Sequence, residues 1–205
     1  MDIKNMFKDA LILFAITLVA GLLLGAVNEV TKEPIANAKE AAKNDAYKEV
    51  MSSADSFTAI DINSEAVNAC IEETNLLYSD IDEVVEGYEN GNLIGYVITV
   101  TSHEGYGGDI QFSIGITTEG VLNGISILSI SETAGLGMNA EKILVPQLKN
   151  IKLNPEAELT YTKSGSTSEY EIDAISGATI TTKAVMNSLN FGIEYYNLAL
   201  KEVNQ

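Results

Sequence analysis

An uncharged apolar run near the N-terminus constrains this chain more than any other feature. Residues 10–28 (ALILFAITLVAGLLLGAVN) lie between Asp9 and Glu29 and carry no charge. At about 1.5 Å per helical residue the run is about 28 Å long, close to the thickness of the hydrocarbon core of a bilayer. A cleaved signal peptide usually has a shorter apolar region and a small-residue cleavage site, and no clear site follows Gly25. The pattern favours an uncleaved transmembrane helix over 10–28, after a short tail of 1–9.

The charges that flank this span leave its orientation open. Lys4 and Lys8 precede the span, and three further lysines follow it closely: Lys32, Lys39 and Lys43. Membrane proteins usually carry an excess of positive charge on their cytoplasmic loops. Because lysines lie on both sides of this span, that rule does not decide between the two orientations.

Composition excludes several classes of function. All twelve basic residues are lysine, and 29 acidic residues bring the net charge to −17, which argues against nucleic acid as a partner because phosphates would be repelled. Cys70 is the single cysteine and His103 the single histidine. An internal disulfide, a cysteine-ligated iron–sulfur cluster and a multi-histidine metal site are therefore not expected. A Ser/His/Asp hydrolase is not expected either, because the sequence shows no obvious partners for His103. A redox function would need a cofactor held by other side chains.

The segment after the span has the composition of a helical stalk. Residues 29–51 are rich in Ala, Lys and Glu, with apolar positions near helical spacing. Thr31 is a candidate N-cap, and Pro34 stands where a first helical turn tolerates proline. Residues 52–205 then form the expected globular domain, of which 52–82 carry no specific motif but enough apolar residues to be folded.

Two predicted hairpins define the class of the globular domain. The first joins 84–88 to 93–100 through Asn90-Gly91, and the second joins 109–117 to 121–130 through Glu119-Gly120. Alternation of apolar and polar residues is clear in neither pair. The remaining predicted elements are a short helix over 140–149, a last strand over 170–175 and an amphipathic helix over 180–203. Runs of strands with helices at the ends predict an α+β domain built on an antiparallel sheet with flanking helices.

The residues that carry chemistry concentrate between the last strand and the last helix. The segment Asp173-Ala174-Ile175-Ser176-Gly177-Ala178-Thr179 turns through glycine and places hydroxyl groups just before the helix. Free N–H groups and the positive end of the dipole make a helix N-terminus a phosphate site that needs no arginine. The same residue types are also ordinary turn and cap material, so the chemistry alone leaves both interpretations open.

This segment resembles the D-x-x-[ST]-G-A-T motif of the FMN-binding domain found in two related proteins. They are the G subunit of the Rnf complex and the C subunit of the sodium-translocating NADH:quinone oxidoreductase. The resemblance implies that FMN is joined by a phosphoester bond to Thr179, installed by a flavin transferase, although Thr181 and Thr182 are close rivals by chemistry. The other matching positions are Asp173, Ser176, Gly177 and Ala178.

Two further loops resemble the same family and follow in the same order. Residues 131–137 (SETAGLG) resemble its E-T-P-G-L-G loop with Ala134 in place of proline, and residues 105–108 (GYGG) resemble its G-[YW]-G-G loop. Small residues let backbone approach a planar ring, and Tyr106 offers it apolar surface. The resemblance implies that the isoalloxazine lies against Glu132, Thr133, Gly135, Leu136 and Gly137. Lys142 and Lys183 could pair with its phosphate, although a solvated role is the default for both.

The resemblance also implies a cellular role. The protein would be a single-pass subunit of the cell membrane with an extracytoplasmic domain. It would carry electrons in a complex that couples ferredoxin/NAD electron transfer to Na⁺ or H⁺ transport. Its partners would be the other membrane and peripheral subunits of the Rnf complex. The alternatives are a C-type subunit of the quinone oxidoreductase and a stand-alone anchored flavoprotein or binding module. His103 is expected to be a surface or packing residue without obvious partners, and Cys70 an inert buried thiol.

Overall fold

The computed structural model describes residues 3–74, 76–155 and 157–201. The contacts divide the chain into two units, 1–43 and 44–205, each of which is described by itself. Within the described residues, one helix is long and apolar enough to cross a membrane. That helix is α1, Ile3–Val50.

Helix α1 runs without a break through the predicted start of the stalk. Thr31 is not an N-cap, because its hydroxyl donates to the carbonyl oxygens of Val27 and Asn28, at 2.8 and 3.3 Å, inside the helix. Pro34 likewise lies in the helix interior rather than in a first turn. The expectation of a new helix beginning at Thr31 is therefore wrong. The surrounding Ala, Glu and Lys residues are strong helix formers, and they sustain the helix across the proline.

The globular unit is built on a six-stranded antiparallel sheet whose strands follow one another in chain order. Both predicted hairpins are present in it. Asn90 and Gly91 have φ angles of 51° and 80°, as the tight two-residue turn of a hairpin requires. In the second hairpin the Gly120 N–H donates to the Thr117 carbonyl oxygen at 2.9 Å. The strands are β1 (Ser56–Ile60), β2 (Ser79–Glu89), β3 (Asn92–Ser102), β4 (Ile110–Thr117), β5 (Val121–Ile130) and β6 (Ile151–Lys152).

Both faces of the central strands are covered, which explains why the sequence shows no clear alternation. Helix α4, Thr179–Tyr195, packs against β2, β3 and β4 on one face, with helix α2, Ser64–Thr74, beside it. On the other face, Tyr47 and Val50 from the end of α1 belong to a second apolar cluster with Val85 and Val97 of the sheet. A strand that is buried on both sides is apolar at successive positions.

The smaller elements differ from the predictions in length and pairing. The helix expected over 140–149 is only α3, Ala140–Ile143, followed by a 3-10 turn at Val145–Gln147, because Pro146 cannot continue an α-helix. The last strand, β8 (Glu171–Asp173), pairs in parallel with β7 (Thr160–Thr162) in a separate two-stranded sheet. Helix α4 is followed by a π-helical segment, Tyr196–Leu200, and the predicted end at Val203 lies outside the described residues.

The α+β class with an antiparallel sheet and flanking helices is thus confirmed. Residues 52–82, which carry no motif, contribute β1, α2 and the start of β2.

Cys70 is expected to react slowly with thiol reagents while the domain is folded. Its side chain on α2 is fully buried, and burial, together with Glu194 and Glu73, raises the pKa of the thiol to about 12. Because the thiolate is the nucleophile, we expect maleimide labelling at pH 7 to be about three orders of magnitude slower in the folded chain than in denaturant. Mass spectrometry of the full chain in detergent measures both rates. Equal rates would contradict the burial of this thiol.

Candidate cofactor site

Three segments that are distant in sequence enclose a cavity of about 510 Å³ at the start of α4. They are the glycine-rich loop 105–108, the loop 131–137, and the turn that leads into α4 with the first residues of that helix. The volume lies in the range of small-molecule and cofactor sites. The lining residues are Tyr106, Glu132, Thr133, Leu136, Gly137, Gly177, Ala178, Thr179, Ile180 and Thr181.

Eight of the eleven residues that the resemblance assigns to the cofactor site line this cavity, and three do not: Asp173, Ser176 and Gly135. Asp173 stabilises the segment before the turn, since its carboxylate accepts from the Ser166 N–H at 2.7 Å and its own N–H donates to Gln147 Oε1 at 2.7 Å. The Gly135 carbonyl oxygen accepts from Asn139 Nδ2 at 2.8 Å, and Ser176 is exposed. Asp173 and Gly135 therefore stabilise the segments around the cavity, and Ser176 lies outside its wall.

The N-terminus of α4 opens into the cavity without a side-chain cap. Gly177 makes the preceding turn with a φ of 75°, a conformation that favours glycine. Ala178 occupies the N-cap position and has no side-chain acceptor to offer the first turn, whose first residues line the cavity. The N–H groups of an uncapped first turn and the positive end of the helix dipole favour an anion such as a phosphate.

The three candidate threonines differ in accessibility. Thr179 is half-buried, whereas Thr181 and Thr182 are 1% and 0% exposed. Thr179 and Thr181 line the cavity, and Thr182 does not. Thr181 donates to Glu132 Oε2 at 3.0 Å, and Thr182 donates to the Ala178 carbonyl oxygen at 3.0 Å. Thr179 is therefore the most exposed of the three threonines.

The rim of the cavity is apolar. Tyr106, Ile180 and Leu136 are 70%, 53% and 40% exposed, and all three line the same cavity, so they form an exposed apolar patch there. Together they provide the kind of surface against which a planar aromatic ring packs. A phosphate site beside an apolar rim fits both ends of FMN, so the residues present are suited to that cofactor.

The two lysines considered as phosphate partners lie in different surroundings. Lys183 Nζ is 3.4 Å from Glu104 Oε1, so its charge is already paired. Lys142 is exposed on α3 and does not line the cavity. These contacts place neither lysine where it would bind a phosphate in the cavity.

His103 has partners that the sequence did not indicate. Its ring Nδ1 is 2.8 Å from Asp109 Oδ1, and its Nε2 is 2.9 Å from Asp80 Oδ2. The bridge connects β2 to both ends of the glycine-rich loop. A neutral imidazole has one N–H, so only the protonated ring donates to both carboxylates. His103 is a surface residue, as expected, but the expectation that it has no obvious partners is wrong. The sequence did not indicate Asp80 because this residue is 23 positions away in the chain.

The His103 bridge is expected to respond to pH. Hydrogen bonds to Asp80 and then Asp109 raise the pKa of His103 above its usual 6.5. A raised pKa in the folded state means that the bridge stabilises the fold fully below pH 6.5, and that this contribution is lost as the pH rises through the folded-state pKa. Since the chain has one histidine, an NMR titration in detergent reports this pKa directly, and Asp109→Asn should lower it. A midpoint at or below 6.5 would contradict the bridge.

Ile180 and Thr181 line the cavity but were not among the residues expected to contact the cofactor. Thr181 was considered only as a rival site of attachment, and Ile180 only as the start of a helix. The sequence contained one signal that both residues lie at the site: they are in the first turn of a helix that follows a phosphate-site motif.

The N-terminal apolar helix and the cavity are suited to a membrane-anchored protein with an FMN-binding domain, and comparisons with known proteins identify that class. The model of the FMN-binding domain matches residues 105–194, and that of the RnfG N-terminal region matches residues 1–50. The chain belongs to the family of G subunits of Rnf-type ion-translocating oxidoreductase complexes.

Individual relatives match over almost the whole chain. The G subunit of the Na⁺-translocating ferredoxin:NAD⁺ oxidoreductase complex of Acetobacterium woodii is 35% identical, over 95% of this chain and 93% of the relative. The corresponding subunit of the proton-translocating complex of Clostridium ljungdahlii is 30% identical, over 91% and 93%. The C subunit of the Na⁺-translocating NADH-quinone reductase of Parabacteroides distasonis shares the fold, with a TM-score of 0.54 and 17% identity over 82% of this chain and 96% of that chain.

Proposed function

We propose that this chain is the electron-transferring G subunit of an ion-translocating ferredoxin:NAD⁺ oxidoreductase, and that it carries FMN in a phosphoester bond to Thr179. The observation that carries the proposal is the position of Thr179, which lines the cavity at the uncapped N-terminus of α4. The family to which the chain belongs supports the same role.

Different parts of the site would hold the two ends of the cofactor. The first-turn N–H groups of α4 would bind the phosphate, while Tyr106, Leu136 and Ile180 would exclude water from the ring and orient it. Bound FMN supplies electron transfer in steps of one or two electrons. The chain contributes binding, orientation and electrostatics to that chemistry.

Attachment requires a donor with a leaving group, and a flavin dinucleotide has one. In this proposal the Thr179 oxygen would form a bond to the FMN phosphorus, the bond to the second phosphate would break, and a nucleoside monophosphate would leave. The hydroxyl proton would pass to a base on the flavin transferase. Thr179 is the accessible candidate, since Thr181 and Thr182 are buried and hydrogen-bonded.

The site of attachment is tested by peptide mass spectrometry. Cleavage at lysine releases the peptide 164–183, which contains Thr179, Thr181 and Thr182 together. We expect this peptide to carry one FMN moiety, and fragmentation to assign it to Thr179. An unmodified peptide from cells that possess the transferase, or a modification on another threonine, would refute the assignment.

The partner subunits are tested by purification of the intact membrane complex. We expect the chain to co-purify with membrane and peripheral subunits of an Rnf complex and with ferredoxin-dependent NAD⁺ reduction. Quinone reduction by the purified complex would instead indicate a C-type subunit, and a flavinylated chain without partners would indicate a stand-alone carrier.

We further propose that the domain 52–205 lies outside the cytoplasm. The proposed covalent bond would suit this location, because a cofactor held only by weak contacts would be lost by dilution there. Protease added to spheroplasts should then digest the domain and leave the anchor, whereas in inverted vesicles the domain should be protected. The opposite pattern of protection would place the domain in the cytoplasm.

A further inference from the structure

The carboxylate of Glu132 joins all three segments that form the cavity. Its side chain is only 9% exposed. Oε1 accepts from the N–H of Gly107 at 3.0 Å, and Oε2 accepts from the hydroxyl of Thr181 at 3.0 Å. One side chain in the loop 131–137 therefore binds both the glycine-rich loop and the first turn of α4.

Two glycines make this arrangement possible by letting backbone approach the Glu132 side chain. A Cβ at Gly137 would lie 2.7 Å from Glu132 Cβ and 2.6 Å from Thr181 Oγ1. A Cβ at Gly105 would lie 2.9 Å from Glu132 Oε1. Real side chains essentially never approach this closely, so the packing around the carboxylate leaves no room for a larger residue at either position.

The contact to Thr181 bears directly on Thr179. The two residues are both in the first turn of α4, and Thr181, which is 1% exposed, is anchored by the hydrogen bond that its hydroxyl donates to Glu132 Oε2. A fixed Thr181 fixes the rotation of the first turn about the helix axis, and with it the direction of the Thr179 side chain. Likewise, the Gly107 contact fixes the loop that presents Tyr106 to the cavity.

We propose that Glu132 is a positioning residue, which holds Thr179 and the glycine-rich loop in the geometry that attachment of the flavin requires. The inference rests on the proposed function, because it concerns the same threonine. It gives Glu132 a role different from direct contact with the flavin ring: each carboxylate oxygen already accepts a hydrogen bond from the chain, and the residue acts on the cofactor through Thr181 and Gly107.

The proposal is tested by the rate of flavin attachment to the purified full chain in detergent. The chain is produced without the transferase and is then mixed with transferase and flavin dinucleotide. We expect Glu132→Ala to lower the rate at saturating dinucleotide about tenfold or more, as misplacement of a reacting group does. Glu132→Gln should recover most of the rate, because its amide oxygen accepts from Gly107 and its amide nitrogen donates to the Thr181 hydroxyl. Glu141→Gln, an exposed carboxyl on α3, is the matched control.

A second variant isolates the bond to α4. Thr181→Val keeps the shape of the side chain and removes the donor, so it should also slow attachment. If the two residues act through one bond, Glu132→Ala combined with Thr181→Val should be no slower than the slower single variant. The positioning role would be overturned if the rate in the double variant fell by the product of the two single losses. It would also be overturned if Glu132→Gln were as slow as Glu132→Ala. If Glu132→Ala does not fold, Thr181→Val and Glu132→Gln decide the question.

Hydrogen exchange supplies a readout that does not depend on the flavin. The amides of 105–108 should exchange faster in Glu132→Ala than in the unsubstituted chain, and at an unchanged rate in Thr181→Val. If the transferase does not modify the unsubstituted chain, the proposed function fails. The exchange pattern then still tests whether Glu132 holds the glycine-rich loop in place. Should attachment proceed normally and Glu132→Ala react at the control rate, the positioning proposal alone fails.

Discussion

Thr179→Ala is expected to abolish covalent flavin completely. The substitution removes the hydroxyl oxygen that the phosphoester requires, and the threonines two and three positions later are buried and hydrogen-bonded within the domain. The change should leave the fold intact, because Thr179 is half-buried at the first position of α4 and alanine is a good helix former. In-gel fluorescence after denaturing electrophoresis measures the bound flavin.

The matched control for this prediction is Thr58→Ala, an exposed threonine on the edge strand β1. This variant should retain full fluorescence on the denatured band. Fluorescence that persists in Thr179→Ala would show that another residue carries the flavin, and would contradict the central assignment of the site.

Phe112→Ala is expected to destabilise the domain by about 3–5 kcal/mol, the usual range for removal of a buried aromatic ring. Phe112 lies on β4, is 0% exposed, and belongs to the core cluster that also contains Val185 and Leu189 of α4. Since whole domains are stable by only about 5–15 kcal/mol, this change removes a large fraction of the total. The chain has no tryptophan and nine tyrosines, so tyrosine fluorescence follows its unfolding in denaturant.

Leu77→Ala is the control, because Leu77 is apolar but 67% exposed. Its effect on the free energy of unfolding should stay within about 0.5 kcal/mol. A loss below about 1 kcal/mol in Phe112→Ala would mean that the core of the sheet is packed less tightly than the structure has it.

Local signals predicted the elements that depend on a few neighbouring residues. Asn90-Gly91 and Glu119-Gly120 indicated both hairpin turns, since such turns need particular backbone angles that few residue types adopt. The apolar run near the N-terminus likewise indicated the one candidate span among the described residues. Local signals failed at Thr31, where good cap chemistry did not start a helix because the helix was already formed on its N-terminal side.

The family resemblance identified most of the cavity wall, but it could not say how the segments hold one another. The Glu132 carboxylate meets partners 25 and 49 positions away, and the ring of His103 meets Asp80 across 23 positions. A motif shows which residues occur together and does not show which atoms touch. Asp173 and Ser176 match the motif, yet they lie outside the cavity wall.

The amino-acid sequence alone determined the apolar anchor, the two hairpin turns and the candidate phosphate site, because each depends on the chemistry of a few adjacent residues. Only the tertiary structure decided that Thr179 is more exposed than Thr181 and Thr182, that Glu132 joins its own loop to the glycine-rich loop and to α4, and that β7 and β8 pair in parallel. Burial and long-range hydrogen bonds arise only when distant segments pack together, and no local pattern records that packing.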